Sequence, residues 1–233
     1  MVSFITSLLL SWECISFTEV NRSLITDLSL QSHFLAQGKV GSGYDIVTAI
    51  YGTCIFEKKE DRCAFEELVF PKALNVLFSC GGTQSSKTST FVRNIQKWRN
   101  ENNANEEVSS LWTQYRLNNQ RIIHAFKQEE MDLKELKSLF GEKLDIMYSI
   151  SKMSNTEIVP DILYELMKKT LLIDDVVGCV VAGAGGYDSF YCVVKPSEEV
   201  KNSVSLVWGK YGYSISSVKV KGDKLTITKW LVY

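Results

Sequence analysis

The sequence predicts an α+β fold, and three observations carry that expectation. Leu133, Leu136, Phe140, Leu144, Met147 and Ile150 recur at intervals of three and four, the period of an amphipathic helix. The period changes in the C-terminal quarter. There "DVVGCVVAGAGGYDSFYCVV" reads as two β-branched and aromatic runs around a tight glycine turn. From Ala73 onward the order is strand, helices, strand, strand, helix, strand, which fits a split βαβ layer of ferredoxin-like type with a helical insert.

Taken in order, Ser3–Trp12 reads as a helix. Asn21–Gln37 is a second, with Leu24, Ile25, Leu28 and Leu35 as its apolar positions. A glycine-rich loop follows, then a short helix over Tyr44–Tyr51, and "GTCIFEK" alternates like a strand. After Pro71, "ALNVLFSC" is a strand-type run, and Phe91, Ile95 and Trp98 mark the next helix. "RNENNANEE", Arg99–Glu107, reads as a solvated loop. Val108, Leu111, Trp112, Tyr115, Ile122 and Phe126 fit one further helix, and Ile162, Leu163, Leu166 and Met167 another, opened by Pro160 and Asp161. All these stripes read as core. Pro196, Ser197, Glu198 and Glu199 resemble a helix start, with acids in the first turn. "SISSVKV" and "KLTITKWLV", joined by "KGDK", close the chain as strands. No linker or repeat interrupts it, so residues 1–70, read as one part, are expected to pack against residues 71–233, read as the other.

The composition excludes some function classes. The chain has 233 residues, a formal net charge of −1, 45% hydrophobic and 23% charged residues, the balance of a globular protein. A near-zero charge argues against a nucleic-acid binder. No apolar run reaches the roughly 18 residues of a membrane span. "MVSFITSLLLSW" lacks basic residues before its apolar run and a small-residue cleavage site after it, so it does not read as a signal peptide. Cys14, Cys54, Cys63, Cys80, Cys179 and Cys192 form no CxxC pair and read as reduced thiols of a cytoplasmic protein. His33 and His124 are far apart on helical patterns and read as structural.

Three motifs carry chemistry. In "GKVGSGYD" the glycines let backbone N–H groups approach an anion, Lys39 brings a cation, and Asp45 falls in the first turn of a helix. A tight turn before a helix accounts for the same residues. Lys39 precedes the glycines instead of following them, so this is not a Walker A loop. In "CGGTQSSKTST" the hydroxyls and Lys87 are suited to a phosphate monoester, or equally to capping a helix. "GAGGYDS" brings backbone close to a ligand, or simply turns a hairpin.

Together and in this order, "AQGKVGSGYDIVTAIYG", the strand–Gly–hydroxyl loop and "GAGGYD" resemble the phosphomevalonate kinase branch of the galactokinase, homoserine kinase, mevalonate kinase and phosphomevalonate kinase (GHMP) superfamily. The likeness runs from about Met1 to Val194. It implies a GHMP-kinase-like fold, with a partial N-terminal domain and a ferredoxin-like C-terminal layer. It implies ATP and Mg²⁺ as cofactors and 5-phosphomevalonate as the phosphoryl acceptor. Asp45 matches the active-site aspartate, and Gly41, Ser42 and Gly43 the loop around it. Gly183, Ala184, Gly185 and Gly186 match the motif that closes over the active site, and Ser85, Ser86 and Lys87 the acceptor loop. The acceptor is itself a phosphate, dianionic above a second pKa of about 6, so bringing two anions together matters more than a strong base. That suits Lys39 and Lys87, and gives Asp45 a base or an orienting role, with orienting favoured. Metal ligands stay unassigned.

The resemblance also implies what is missing. Members carry an upstream phosphate loop resembling Gly-Leu-Gly-Ser-Ser-Ala, and "MVSFITSLLLSW" resembles the helix that follows it. The expectation is a chain that begins just after the nucleotide loop, as a truncated gene model or as a shortened, non-catalytic homologue acting as a binding or regulatory module.

Overall fold

A computed structural model describes residues 1–12, 14, 21–37, 42–59, 62–81 and 88–218. The chain divides into two compact units, with the boundary between Phe70 and Pro71.

The first unit holds helices α1 (Val2–Ser11), α2 (Arg22–Gln37) and α3 (Tyr44–Tyr51), then strands β1 (Cys54–Lys59) and β2 (Arg62–Glu67). Its core is built on helical spacing: Ile5 and Leu9 on α1, Ile25 on α2, Ile46 and Ile50 on α3. Thr6 and Thr26, also buried, satisfy their hydroxyls within their own helices, donating to Val2 O at 2.9 Å and Arg22 O at 2.7 Å. β1 and β2 form an antiparallel hairpin from Cys54 opposite Glu67 to Lys59 opposite Arg62. The Tyr51 and Phe65 rings meet at 4.3 Å. β2 is not anticipated by the sequence reading. Its exposed run of Ala64, Phe65, Glu66 and Glu67 offers one large apolar side chain, too few for an alternation to show.

The second unit holds β3 (Asn75–Gly81), α4 (Thr88–Glu101), α5 (Glu106–Lys127), α6 (Leu133–Met153), α7 (Asp161–Leu171), β4 (Val176–Val181), β5 (Phe190–Val194), α8 (Glu198–Gly209) and β6 (Tyr213–Val218). The sheet order is β4-β5-β3-β6, antiparallel at every pairing. β3 and β4 flank β5, so the βαβ unit is split as a ferredoxin-like layer requires. Its first crossover carries four helices instead of one. Three helices start on side-chain caps that satisfy otherwise orphaned N–H groups. Asn105 accepts from Glu107 N at 2.9 Å, Asp132 from Lys134 N at 2.8 Å, and Ser197 from Glu199 N at 3.2 Å.

Two expectations need correction here. The polar stretch Arg99–Glu107 is mostly helical: α4 continues to Glu101 and α5 begins at Glu106, because Asn105 caps α5 and Asn102 donates to Trp98 O at 2.8 Å. The connection between β4 and β5 is no tight turn. It spans residues 182–189, with Gly185 N bonded back to Ala182 O and Gly186 N bonded outside the hairpin to Ile158 O. The run "KLTITKWLV" lies outside the described residues.

β4 is buried at every position, with α6 and α7 packed on it. Gly178 leaves room for Phe140 of α6: a Cβ there would stand 2.4 Å from Phe140 Cγ. Gly178→Ala should therefore cost about 1–3 kcal/mol by overpacking, read as a lower denaturation midpoint at unchanged slope. On the far side of the core, Trp208 Nε1 donates to Thr170 Oγ1 at 3.0 Å, and Phe190 sets its ring edge-on to the indole at 4.6 Å.

α5 and α6 are locked in register by polar contacts. The buried Asn118 Nδ2 donates to Leu139 O at 2.9 Å, and Lys143 Nζ donates to Asn119 Oδ1. Burial pushes the Lys143 ammonium down to about 8 from an ordinary 10.5. A lysine lowered in the folded state penalises folding below its folded pKa. The penalty lifts as pH rises from about 8 towards 10.5. Wild type should gain on the order of 2 kcal/mol over that window relative to Lys143→Met, measured by urea unfolding at each pH. Parallel curves for the two proteins would remove Lys143 as the cause.

Candidate functional site

In the first unit the site residues gather at the start of α3. Gly43 occupies the N-cap with φ of 81°, a left-handed conformation that an L side chain rarely adopts. Asp45 sits in the first turn, exposed, where the helix dipole favours a carboxylate. Thr48 donates its hydroxyl to Tyr44 O at 2.8 Å, inside the helix, so it does not compete for the Asp45 carboxylate. Ser42 is described beside them; Lys39 and Gly41 lie outside the described residues.

In the second unit the glycine motif forms the loop from Ala182 to Ser189. Gly183, Gly185 and Gly186 all have positive φ, at 58°, 81° and 96°. The loop is tied down at its middle. Gly186 N donates to Ile158 O at 2.9 Å, reaching the turn between α6 and α7. Approach there is so close that a Cβ on Gly185 would lie 2.1 Å from Ile158 O. Further on, Tyr187 OH donates to Glu157 Oε1 at 3.2 Å, and Tyr213 OH donates to Tyr187 O at 3.0 Å. Burial raises both phenols, with Glu157 adding to Tyr187 and Asp188 to Tyr213. Both therefore stay neutral donors at physiological pH.

The α6–α7 turn is itself held from inside. Ser151 Oγ donates to Thr156 O at 2.8 Å and accepts from Val159 N at 3.2 Å. The glycine loop thus rests on a turn braced by a buried hydroxyl.

Beside Gly183 and Ala184 opens a cavity of about 200 Å³. Phe91 and Ile95 line it from α4, Trp112 and Tyr115 from α5, and Met147 and Ile150 from α6. The sequence reading assigns these side chains to core stripes. A stripe that faces a cavity has the same period as one that faces a neighbour, so periodicity holds no signal for the difference.

Of the motifs singled out in the sequence, the structure keeps Ser42, Gly43 and Asp45 together in one unit. It keeps Gly183, Ala184, Gly185 and Gly186 together in the other. Ser85, Ser86 and Lys87 lie outside the described residues. Among the described residues, no three His, Cys, Asp or Glu side chains converge on a metal position. Cys14, Cys54, Cys80, Cys179 and Cys192 are free thiols, and no helix among the described residues is long and apolar enough to cross a membrane.

No family model matches the chain. Phosphomevalonate kinase of Gibberella zeae is 27% identical over 241 residues, covering 88% of this chain and 53% of that protein. The chain thus spans about half the length of the curated relatives it matches. Among solved structures, a Lin0012 protein from Listeria innocua superposes with a TM-score of 0.74 at 18% identity, over 92% of this chain and 63% of that one. Streptococcus pneumoniae phosphomevalonate kinase superposes with a TM-score of 0.61 at 16% identity, over 92% and 66%. In sequence the chain is a homologue of curated phosphomevalonate kinases, and its α+β fold is GHMP-kinase-like.

Proposed function

We propose that the chain belongs to an ATP-dependent kinase that phosphorylates 5-phosphomevalonate. The observation that carries the reading is its likeness to curated phosphomevalonate kinases across most of its own length, with the aspartate loop and the glycine loop in the family's order. In the reaction an oxygen of the acceptor phosphate bonds to the γ-phosphorus of ATP. The bond from that phosphorus to the β–γ bridging oxygen breaks, and ADP leaves. Positioning and charge neutralisation supply most of the rate enhancement in such transfers. MgATP supplies the phosphoryl group and part of the neutralising charge when bound.

On this reading Asp45 orients the acceptor or the metal from the start of α3. Gly41, Ser42 and Gly43 give that loop its backbone donors, and Lys39 and Lys87 offset the charge of two approaching phosphates. Ser85 and Ser86 hold the acceptor phosphate, and Gly183–Gly186 wall the site with backbone. The free thiols Cys14, Cys54, Cys80, Cys179 and Cys192 fit a reducing compartment such as the cytoplasm.

The alternative reading is a non-catalytic homologue that binds the acceptor as a regulatory module. One experiment separates the two. The purified chain is titrated with 5-phosphomevalonate and with MgATP by calorimetry, and ADP release is followed in a coupled assay. ADP formation that depends on 5-phosphomevalonate supports the kinase. Acceptor binding with neither ATP binding nor turnover supports the module, and absence of acceptor binding overturns both.

A further inference from the structure

We propose that Lys143, at the seam between α5 and α6, is a nucleophilic amine and a site of acylation by activated acyl donors of the thioester class. The proposal rests on the cluster of groups around its side chain and stands apart from the kinase reading.

The cluster has three members. Lys143 Nζ donates to Asn119 Oδ1 and lies 5.4 Å over the ring of Tyr115, the titratable group that faces it from α5. Neither partner is a carboxylate. Among the described residues no carboxylate stands within ion-pair distance of Lys143, whereas Lys168 and Lys195 each hold one, at 2.9 and 2.6 Å. The acids beside it on α6 are engaged elsewhere, Glu142 with Arg121 at 3.2 Å and Asp145 with Lys168. An ammonium taken out of water with only an amide oxygen and a ring face as partners is poorly compensated. Burial accordingly pushes the group down to about 8. In the neutral amine one N–H still donates to Asn119 Oδ1, and the nitrogen lone pair is left for an electrophile. Lys143, Asn119 and Tyr115 are all half-buried, so the cluster lies at the surface seam and not within the sealed core.

The step needs no reactant beyond the thioester. The neutral Nζ attacks the thioester carbonyl carbon; the N–C bond forms and the C–S bond breaks. The nitrogen gives up one proton and the leaving sulfur takes it, so the products are an amide and a free thiol. The amide is neutral and keeps one N–H for Asn119 Oδ1. Acylation thus removes the charge that burial penalises and retains the hydrogen bond. At a pH of about 7.5, a group at about 8 is about one-quarter neutral, against about 0.1% at an ordinary 10.5. The lower nucleophilicity of the weaker base offsets part of that gain, as it does for thiolates.

The full chain is labelled with a trace of ¹³C-acetyl-coenzyme A at a pH of about 7.5, and occupancy at each lysine is read by peptide mass spectrometry. Lys143 should be labelled about tenfold faster than Lys134, an exposed lysine of the same helix. Its rate should reach half its plateau near pH 8. Asn119→Asp sets a carboxylate against the same nitrogen with almost no change of shape. That variant should hold the ammonium charged and cut Lys143 labelling by about tenfold or more, with Lys134 unchanged. Thermal melts establish whether it folds. Labelling of Lys143 no faster than that of Lys134, or a Lys143 rate that Asn119→Asp leaves unaltered in folded protein, overturns the proposal. If Asn119→Asp does not fold, the wild-type pH profile decides. A half-maximum near pH 8 supports the proposal, and a Lys143 rate still climbing about tenfold per pH unit near pH 9.5 overturns it.

Discussion

Gly185→Ala should lower the stability of the second unit by about 3 kcal/mol or more. Two costs combine. Gly185 has φ of 81°, and a left-handed L residue costs about 1–2 kcal/mol. The new Cβ would also lie 2.1 Å from Ile158 O, a backbone atom that cannot step aside like the tip of a side chain. Relieving that overlap means moving the loop or the α6–α7 turn, at about 1–3 kcal/mol more. The melting temperature should fall by roughly 10 °C. Gly183→Ala is the control. Its φ of 58° is also left-handed, but nothing lies within 4 Å of the added Cβ. It should cost only the backbone term, about 1–2 kcal/mol. Equal losses in the two variants would show that φ alone matters and that the close approach to Ile158 does not.

Asp45→Asn should reduce kcat by about 10²–10³-fold in protein that turns over 5-phosphomevalonate. The change is nearly isosteric, and the side chain is exposed at the helix start, so stability should stay within about 0.5 kcal/mol. A carboxylate that orients the acceptor or the metal contributes in the transition state more than in the ground state. KM for the acceptor should therefore change much less than kcat. An unchanged kcat would remove Asp45 from the reaction centre, and a rise in KM alone would make it a binding residue.

Much of this architecture is legible in the residues, and the failures have physical reasons. Helix α6 is announced by its period, and α8 by Ser197 and the acids after it, because an amphipathic face and a cap are local properties. The glycine loop is legible as a place of close approach but not as to what it approaches. Ile158 lies some thirty residues away, and no local pattern encodes that pairing. The length of the β4–β5 connection is misread for the same reason: Gly186, which looks like part of a hairpin turn, bonds to a partner from the helical insert. β2 escapes because its exposed run Ala64–Glu67 carries one large apolar side chain, so the strand draws its definition from β1 opposite it. The aspartate loop is legible through its likeness to a family, while its φ of 81° at Gly43 only makes physical sense of a glycine already there.

The bond from Gly186 to Ile158 changes what kind of object the glycine loop is. Loops that swing over a ligand need a free middle and hinges at both ends. This one is pinned at its middle, and Tyr187 and Tyr213 pin it again on the way to β5. It therefore behaves as masonry and not as a door. On the kinase reading proposed above, the motion that admits a ligand is expected of other segments and not of this pinned loop.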